Sequence, residues 1–453
     1  MNPSQLLTLD VLKQAVAGSA AALRCRNRLQ PAGGPGTKVF PPTYAGAVYA
    51  VEQRRLPGRD EPVTCVLLDS VQSQANRMEE ALQDALDREQ IRIPVVVVDF
   101  SPYYHADNRP KDEELRLLDP IGRVTSLQAP HRLADAILRD SLYDGQPFRK
   151  SDLGREIDRA NVQNATPLYR LCPTALVFGM WDSTGPKGGL GAKFERALVS
   201  EIVGVGCCYR YDGTDQPPKN MGIRRDPLSI SSAVPLKKTQ NGWELLGDTT
   251  YRLEKGAVVA DTPEGTKKVG DAKKLGAIKP SEVNHSNVIF PGSGAITATT
   301  YNAGITIEYA EQTTVLSLPV LRRLRFPADG NWQPSPQQQA RDAAAQTVLA
   351  ALSLCAVELA AAKGLDLRSR CLLWPDEPRR WELLDKPGTE PACYHLDADA
   401  ARELLAEAID QARNVDLTWH DDPITLTPAE KLVELVCRSQ ELMAKQTDSA
   451  EAD

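Results

Sequence analysis

Residues 175–204, ALVFGMWDSTGPKGGLGAKFERALVSEIVG, constrain this chain more than any other stretch. A short apolar run, residues 176–178, reads as a buried strand. The chain then passes through Ser183-Thr184-Gly185-Pro186-Lys187-Gly188-Gly189-Leu190-Gly191. Beyond it, Phe194, Ala197, Leu198 and Ile202 recur at helical spacing, which predicts a helix over residues 192–203. Strand, glycine-rich loop and helix together would present main-chain N–H groups to an anion at a helix N-terminus. Gly185, Gly188, Gly189 and Gly191 would let the backbone approach a ligand without Cβ interference. Lys187, Lys193 and Arg196 add positive charge. The pattern points to a phosphate without saying whose. It is not a Walker A loop, because no Gly-Lys-Ser/Thr ends it, and it is not GxGxxG.

A chain of 453 residues suggests two domains, or one domain with large insertions. The 42% hydrophobic and 25% charged shares are those of a soluble globular protein. No apolar run reads as long enough to span a bilayer. The N-terminal segment lacks the basic start of a signal peptide. Nine cysteines without CxxC pairs read as reduced thiols of a cytoplasmic protein. Five histidines scattered along the sequence argue against a zinc site. Net charge is −7, but it is uneven. Residues 390–453 hold 15 acidic side chains against 5 basic ones, whereas residues 21–60 hold 7 basic against 2 acidic. A basic working surface with an acidic appendage fits that imbalance.

Residues 8–18 read as a short helix. In residues 21–30, Leu23, Cys25, Asn27 and Leu29 alternate with Arg24, Arg26 and Arg28, which predicts a strand with one basic face. Three arginines exceed what an edge strand needs to discourage pairing, so an anionic partner is favoured. The loop PAGGPGTKVFPPTYAG follows, with Lys38 among Phe40 and Tyr44. A cation interleaved with aromatics suits single-stranded nucleic acid, although either ring could equally pack into the core. Residues 63–68 read as a buried strand, and a helix capped by Asp69 or Ser70 runs to about residue 87. Ser70, Gln72, Ser73, Asn76 and Arg77 cluster near its first turn, where such groups can meet phosphates and sugars. Residues 93–100 form another buried strand.

Residues 101–166 are polar and irregular, with helices expected at 130–143 and 151–160, and read as a projecting insertion. Residues 209–285 read as lysine-studded hairpins. Strands return over 286–326. A long alanine-rich helix spans 337–363 and is ended by Gly364. Residues 370–374 read as the last strand. Acidic amphipathic helices occupy 397–412 and 428–445. The sum is an α+β chain with an antiparallel sheet of the ferredoxin or RNA-recognition kind, heavily interrupted.

Four stretches in combination, LQPAGGPGTKVFPPTYAG, VLLDSVQSQANRMEEAL, VTSLQAPHRLADAILRDS and LVFGMWDSTGPKGGLGAKFERALVSEIVG, resemble the backbone subunit of type I-G (formerly type I-U) CRISPR surveillance complexes. That subunit belongs to the Cas-seven group of the RAMP superfamily. The resemblance runs from about residue 20 to residue 375. It implies a modified RNA-recognition-motif palm built from residues 20–100, 167–208 and 286–380. It further implies a finger-like insertion at 101–166 and a thumb-containing insertion within 209–285, leaving 381–453 as an acidic helical C-terminal extension. It implies copies stacked along one CRISPR RNA in a helical filament with other Cascade subunits, and pairing of target DNA through the guide. The expected RNA contacts are Arg24, Arg26, Lys38, Ser70, Gln72, Ser73, Asn76, Arg77, Lys187, Gly188, Gly189, Gly191, Lys193 and Arg196. No cofactor, membrane or catalytic residue is expected.

Two enzymatic readings compete. Type III relatives in this superfamily cut RNA with an aspartate near it, and Asp69 and Asp182 lie nearest the two candidate phosphate regions. Neither has a paired carboxylate or histidine base at readable spacing, and a cap and a turn account for them. A nucleotide-dependent enzyme would use GPKGGLGAK, but the Ser/Thr that would hold Mg²⁺ is missing.

Overall fold

The computed structural model describes residues 5–45, 48–104, 115–183, 191–208, 304–420 and 422–443 with their side chains. Between residues 209 and 303 it describes the backbone of short strands, and it follows the backbone of the last helix to Glu451. The chain divides into two compact units, one of residues 1–209 and 304–437, the other of residues 210–303 and 438–453.

The principal elements of the first unit are α1 (Leu9–Ala17), β1 (Ala22–Pro31), β2 (Val63–Asp69), α2 (Val71–Asp87), β3 (Val96–Asp99), β4 (Leu198–Val205), β5 (Tyr309–Ser317), α3 (Pro336–Ala362), β6 (Leu372–Pro375), β7 (Trp381–Leu384), α4 (Ala398–Arg413), β8 (Ile424–Pro428) and α5 (Glu430–Glu451), the last of which continues into the second unit. The fold is α+β, as the sequence indicates. A ten-stranded sheet runs Gln5–Leu6, Ala392–His395, β7, β1, β5, β4, β2, Val51–Arg54, with β6 and Leu365–Asp366 attached to the far end of β1. Its centre, β1-β5-β4-β2, is antiparallel throughout.

The alternation read from β1 is realised: Leu23, Cys25, Asn27 and Leu29 are buried, while the arginines take the opposite face. Leu23, Cys25, Leu198 and Leu316 join a core shared with α1, α2, α3 and α4. Ser70 caps α2 by accepting from the Ser73 N–H at 3.2 Å. Ser335 caps α3, and Gly364, at φ 85°, follows its end. By length and composition α3 could cross a bilayer, contrary to the expectation above. It is a core helix instead, with 83% of its most apolar window buried.

Three expectations are corrected. Residues 174–178 form a short helix, not a strand, opened by Pro173 and ended by Gly179 at φ 82°. Residues 198–205 form the strand β4, not a helix. Glycine loop and flanks are therefore helix–loop–strand, closed by the hairpin Met180–Trp181 with Lys193–Phe194. Among the described residues that follow, 191–205, no helix starts, so the argument from a helix N-terminus does not apply to them. Its apolar positions fitted a helical stripe, but β4 has a neighbour on each side and buries alternate residues on one face and Val203 and Val205 on the other. Periodicity alone cannot separate those cases over so short a run.

Residues 115–166 do not project. Their helical part at 130–143 shrinks to Ala136–Arg139, and Leu127, Leu133, Leu138 and Phe148 are buried in the common core. The C-terminal residues are not an appendage either. β7 and Ala392–His395 extend the main sheet, and α4 packs along α3. β8 sits in a five-stranded sheet between β3, to which it is parallel, and Ser141–Tyr143. Strands also follow residues 370–374, so that run is not the last.

In the second unit, the described strands pair antiparallel, Pro235–Thr239 with Gly242–Leu245 and Tyr251–Glu254 with Ala257–Thr262 among them. Hairpins were the expectation for this zone.

Candidate nucleic-acid interface

The open face of β1 carries the basic row. Cross-strand register sets Arg24 opposite Val315, Arg26 opposite Thr313 and Arg28 opposite Glu311. Arg24 is held by Glu382 at 2.6 Å. Arg28 lies 3.4 Å from Asp376 and stacks over Tyr309, 4.1 Å from the ring centroid. Arg26 is exposed and makes no ion pair among the described residues. Exposed pairs such as Arg28–Asp376 are weak, so a phosphate could displace the carboxylate at small cost. Lys38 is exposed in the following loop. Phe40 is buried beneath the Arg370 guanidinium, 4.1 Å away, whereas Tyr44 is exposed.

The start of α2 divides into two sets. Ser73 Oγ and Gln74 Nε2 each donate to the Asp69 carboxylate at 2.6 Å, and Arg77 Nε donates at 2.9 Å. Arg368 stands 3.5 Å from the same group. Gln72 and Asn76 face solvent. Ser70, Ser73 and Arg77 thus serve the fold, while Gln72 and Asn76 keep their side chains free for a ligand. The network continues beneath the sheet. Gln74 Oε1 accepts from Ser200 at 3.0 Å and from Gln312 at 2.9 Å, and Gln312 accepts from Asn27 at 3.2 Å. One chain of hydrogen bonds therefore ties α2 to β1, β2, β4 and β5.

Of the glycine-rich loop, Lys187, Gly188 and Gly189 lie outside the described residues. Gly191 begins the return to the hairpin, where Lys193 faces the exposed Trp181 at 5.8 Å from its ring centroid. Arg196 is half-buried and lies against Gly179 and close to Arg132. Arg132 itself is taken by Glu79 through two bonds of 2.6 and 2.8 Å and donates to the Gly179 carbonyl at 2.9 Å. Burial, and then the charge of Arg132, lower the pKa of Arg196, while burial raises that of Glu79 against the pull of Arg132. Among the described residues Arg196 has no carboxylate of its own, which suits it to an incoming anion.

The geometry bears on the enzymatic readings. Asp69 is fully buried and saturated. Asp182 is buried and paired with Arg149 at 2.5 Å, and Arg149 also holds Asp158. Burial pushes the Cys25 thiol up to about 12 and that of Cys371 to about 11, far from a thiolate nucleophile. Among the described residues no group of three or more His, Cys, Asp or Glu side chains could hold a metal ion.

One residue on the open face escaped the sequence reading. Trp374 on β6 is 71% exposed, and it stands opposite Gln30 of β1. A tryptophan in a short strand reads as core; only the register shows which face it takes.

No curated protein matches the chain. Residues 23–208, the span from β1 through the glycine-rich loop to β4, match the family described as CRISPR-associated protein GSU0053 (Cas_GSU0053). The role of the chain accordingly lies in a CRISPR system. Through these residues, about two fifths of its length, the chain is similar to the CRISPR-associated GSU0053 family.

Proposed function

We propose that this chain is a non-catalytic, CRISPR RNA-binding backbone subunit of a type I-G surveillance complex. Copies assemble along the guide in the cytoplasm with other Cascade subunits and present it for pairing with target DNA. The observation that carries this reading is the exposed pair Arg26 and Arg28 on one face of a central four-stranded sheet, with α2 and α3 on the other side and the exposed Lys38 in the loop that follows β1. That layout suits an RNA-recognition-like palm. Phosphate contacts spread over a surface hold a strand without reading its sequence, as a guide-binding protein requires. Gln72, Asn76, Lys193 and Arg196 extend the proposed track. The hairpins within residues 209–285 are assigned the thumb.

The test is RNA binding by the full chain over a salt series. Arg26→Ala with Lys38→Ala should weaken affinity uniformly over guide sequences and reduce the salt slope by about two. Wild-type protein that purifies free of nucleic acid and ignores CRISPR RNA beside its partner subunits would refute the proposal. RNA products formed with Mg²⁺ and lost in Asp182→Ala would replace it with the cleaving alternative.

A further inference from the structure

Trp374 is the most exposed large apolar side chain among the described residues, at 71%. One exposed ring needs no explanation by itself. Its surroundings are what distinguish it. Trp374 sits on a strand, not on a loop, and its register against β1 is fixed by Leu29 opposite Pro375, Gln30 opposite Trp374 and Pro31 opposite Leu373. Side chains opposite one another in an antiparallel pair share a face, so Trp374 stands on the same side as Arg26, Arg28 and Gln30. Leu372, two residues away on that side, is also 48% exposed.

Cations bracket the ring along β1 and beyond it. On one side is Arg28, stacked on Tyr309 and loosely paired with Asp376. On the other is the loop that carries Lys38. That loop is tied to the start of β6, since the Ala32 N–H donates to the Leu372 carbonyl at 2.9 Å and the Phe40 N–H donates to the Arg370 carbonyl at 3.2 Å. Gln30, opposite the ring, is committed to the fold: its Nε2 donates to the Glu308 carbonyl at 3.4 Å. A rigid indole on the sheet face, beside Arg28 and with the Lys38 loop beyond, matches single-stranded nucleic acid: a base for the ring and phosphates for the cations. An apolar protein partner would cover Arg28 and Lys38 while offering them no anion beyond Asp376.

We infer that Trp374 is a stacking station for one unpaired base of bound RNA, with Arg28 and Lys38 holding the adjoining phosphates. This rests on the RNA-binding reading above and adds a contact to bases, not to the backbone.

The experiment compares the full-length wild-type chain with Trp374→Ala and Trp374→Phe, using a single-stranded RNA and the same RNA with every base removed. Trp374→Ala should weaken binding of the base-bearing RNA about tenfold, Trp374→Phe should restore most of it, and the base-free RNA should not distinguish the three. The salt slope should stay unchanged, because no phosphate contact is removed. Equal affinity of wild type and Trp374→Ala for the base-bearing RNA would overturn the stacking role and leave the proposed function standing. An equal loss on both RNAs would also overturn it. If wild type binds neither RNA, both readings fall together. If Trp374→Ala binds RNA normally but no longer self-associates in sedimentation, the face belongs to a second copy of the chain and the inference is wrong.

Discussion

Asp69 exposes none of its surface, yet four polar side chains converge on it. A buried carboxylate is tolerable only when its lone pairs are satisfied, and here Ser73, Gln74, Arg77 and Arg368 do that. The partners come from α2 and from the segment before β6, so the residue fastens two distant parts of the chain to the end of β2. Asp69→Asn keeps the shape and removes the charge, leaving Arg77 and Arg368 without their counterion. The expected cost is about 2–3 kcal/mol of stability, read as a lower urea midpoint. RNA affinity of the variant that remains folded should be close to wild type. A midpoint unchanged within error would show the network to be idle, and a loss of RNA cleavage without a loss of stability would return Asp69 to the catalytic reading.

At the level of the element, the turn from the helix of residues 174–178 into the Met180–Trp181 strand depends on Gly179. Its φ of 82° is one that side-chain-bearing residues rarely adopt, and an added Cβ would lie 2.9 Å from Arg196 Cγ and 3.1 Å from the Phe194 carbonyl oxygen. Gly179→Ala should therefore cost about 2–3 kcal/mol, combining backbone strain with the clash. Displacing Arg196 should also lower RNA affinity at low salt. Unaltered thermal stability in this variant would contradict the tightness of the turn. The same region shows where the sequence could be read and where it could not. β1, α2 and α3 were legible because each carries its own signal: strict alternation, a serine cap before a long periodic run, a glycine after the last turn. Residues 176–178 and 198–205 carried no such signal. Their apolar side chains are buried as one helical turn and as a central strand, and the choice was made by neighbours far away in sequence, β2 and β5 for the second. Trp374 belongs to the same class, since a side chain's face is a property of register and not of composition. Of the candidate site, the basic row of β1 could be seen from alternation. The commitment of Ser73 and Arg77 to Asp69 could not, because Arg368 and Leu367, which complete that arrangement, lie some three hundred residues away.

For the whole molecule, the decisive feature is how the C-terminal residues are used. Their acidic composition suggested an appendage, but composition records charge and not packing. In the fold, the buried positions of α4, Ala401, Leu404, Leu405, Ala408 and Ala412, lie in the common core, where α4 packs along α3. Trp419 packs on Tyr169 with ring centroids 5.7 Å apart, and β8 fills the slot between β3 and Ser141–Tyr143. Removing residues 390–453 would expose one side of α3 to water and leave β3 with an unpaired edge. At about 25 cal/mol per Å² of apolar surface, several uncovered core side chains already rival the total stability of a domain. The truncated chain should accordingly be insoluble, or give a broad, early thermal transition by circular dichroism, before any question of assembly arises. A tail that served only to touch a neighbouring subunit would leave a truncated chain with wild-type melting and a defect confined to assembly. That result would mean that the packing of α4 and β8 contributes little to the fold.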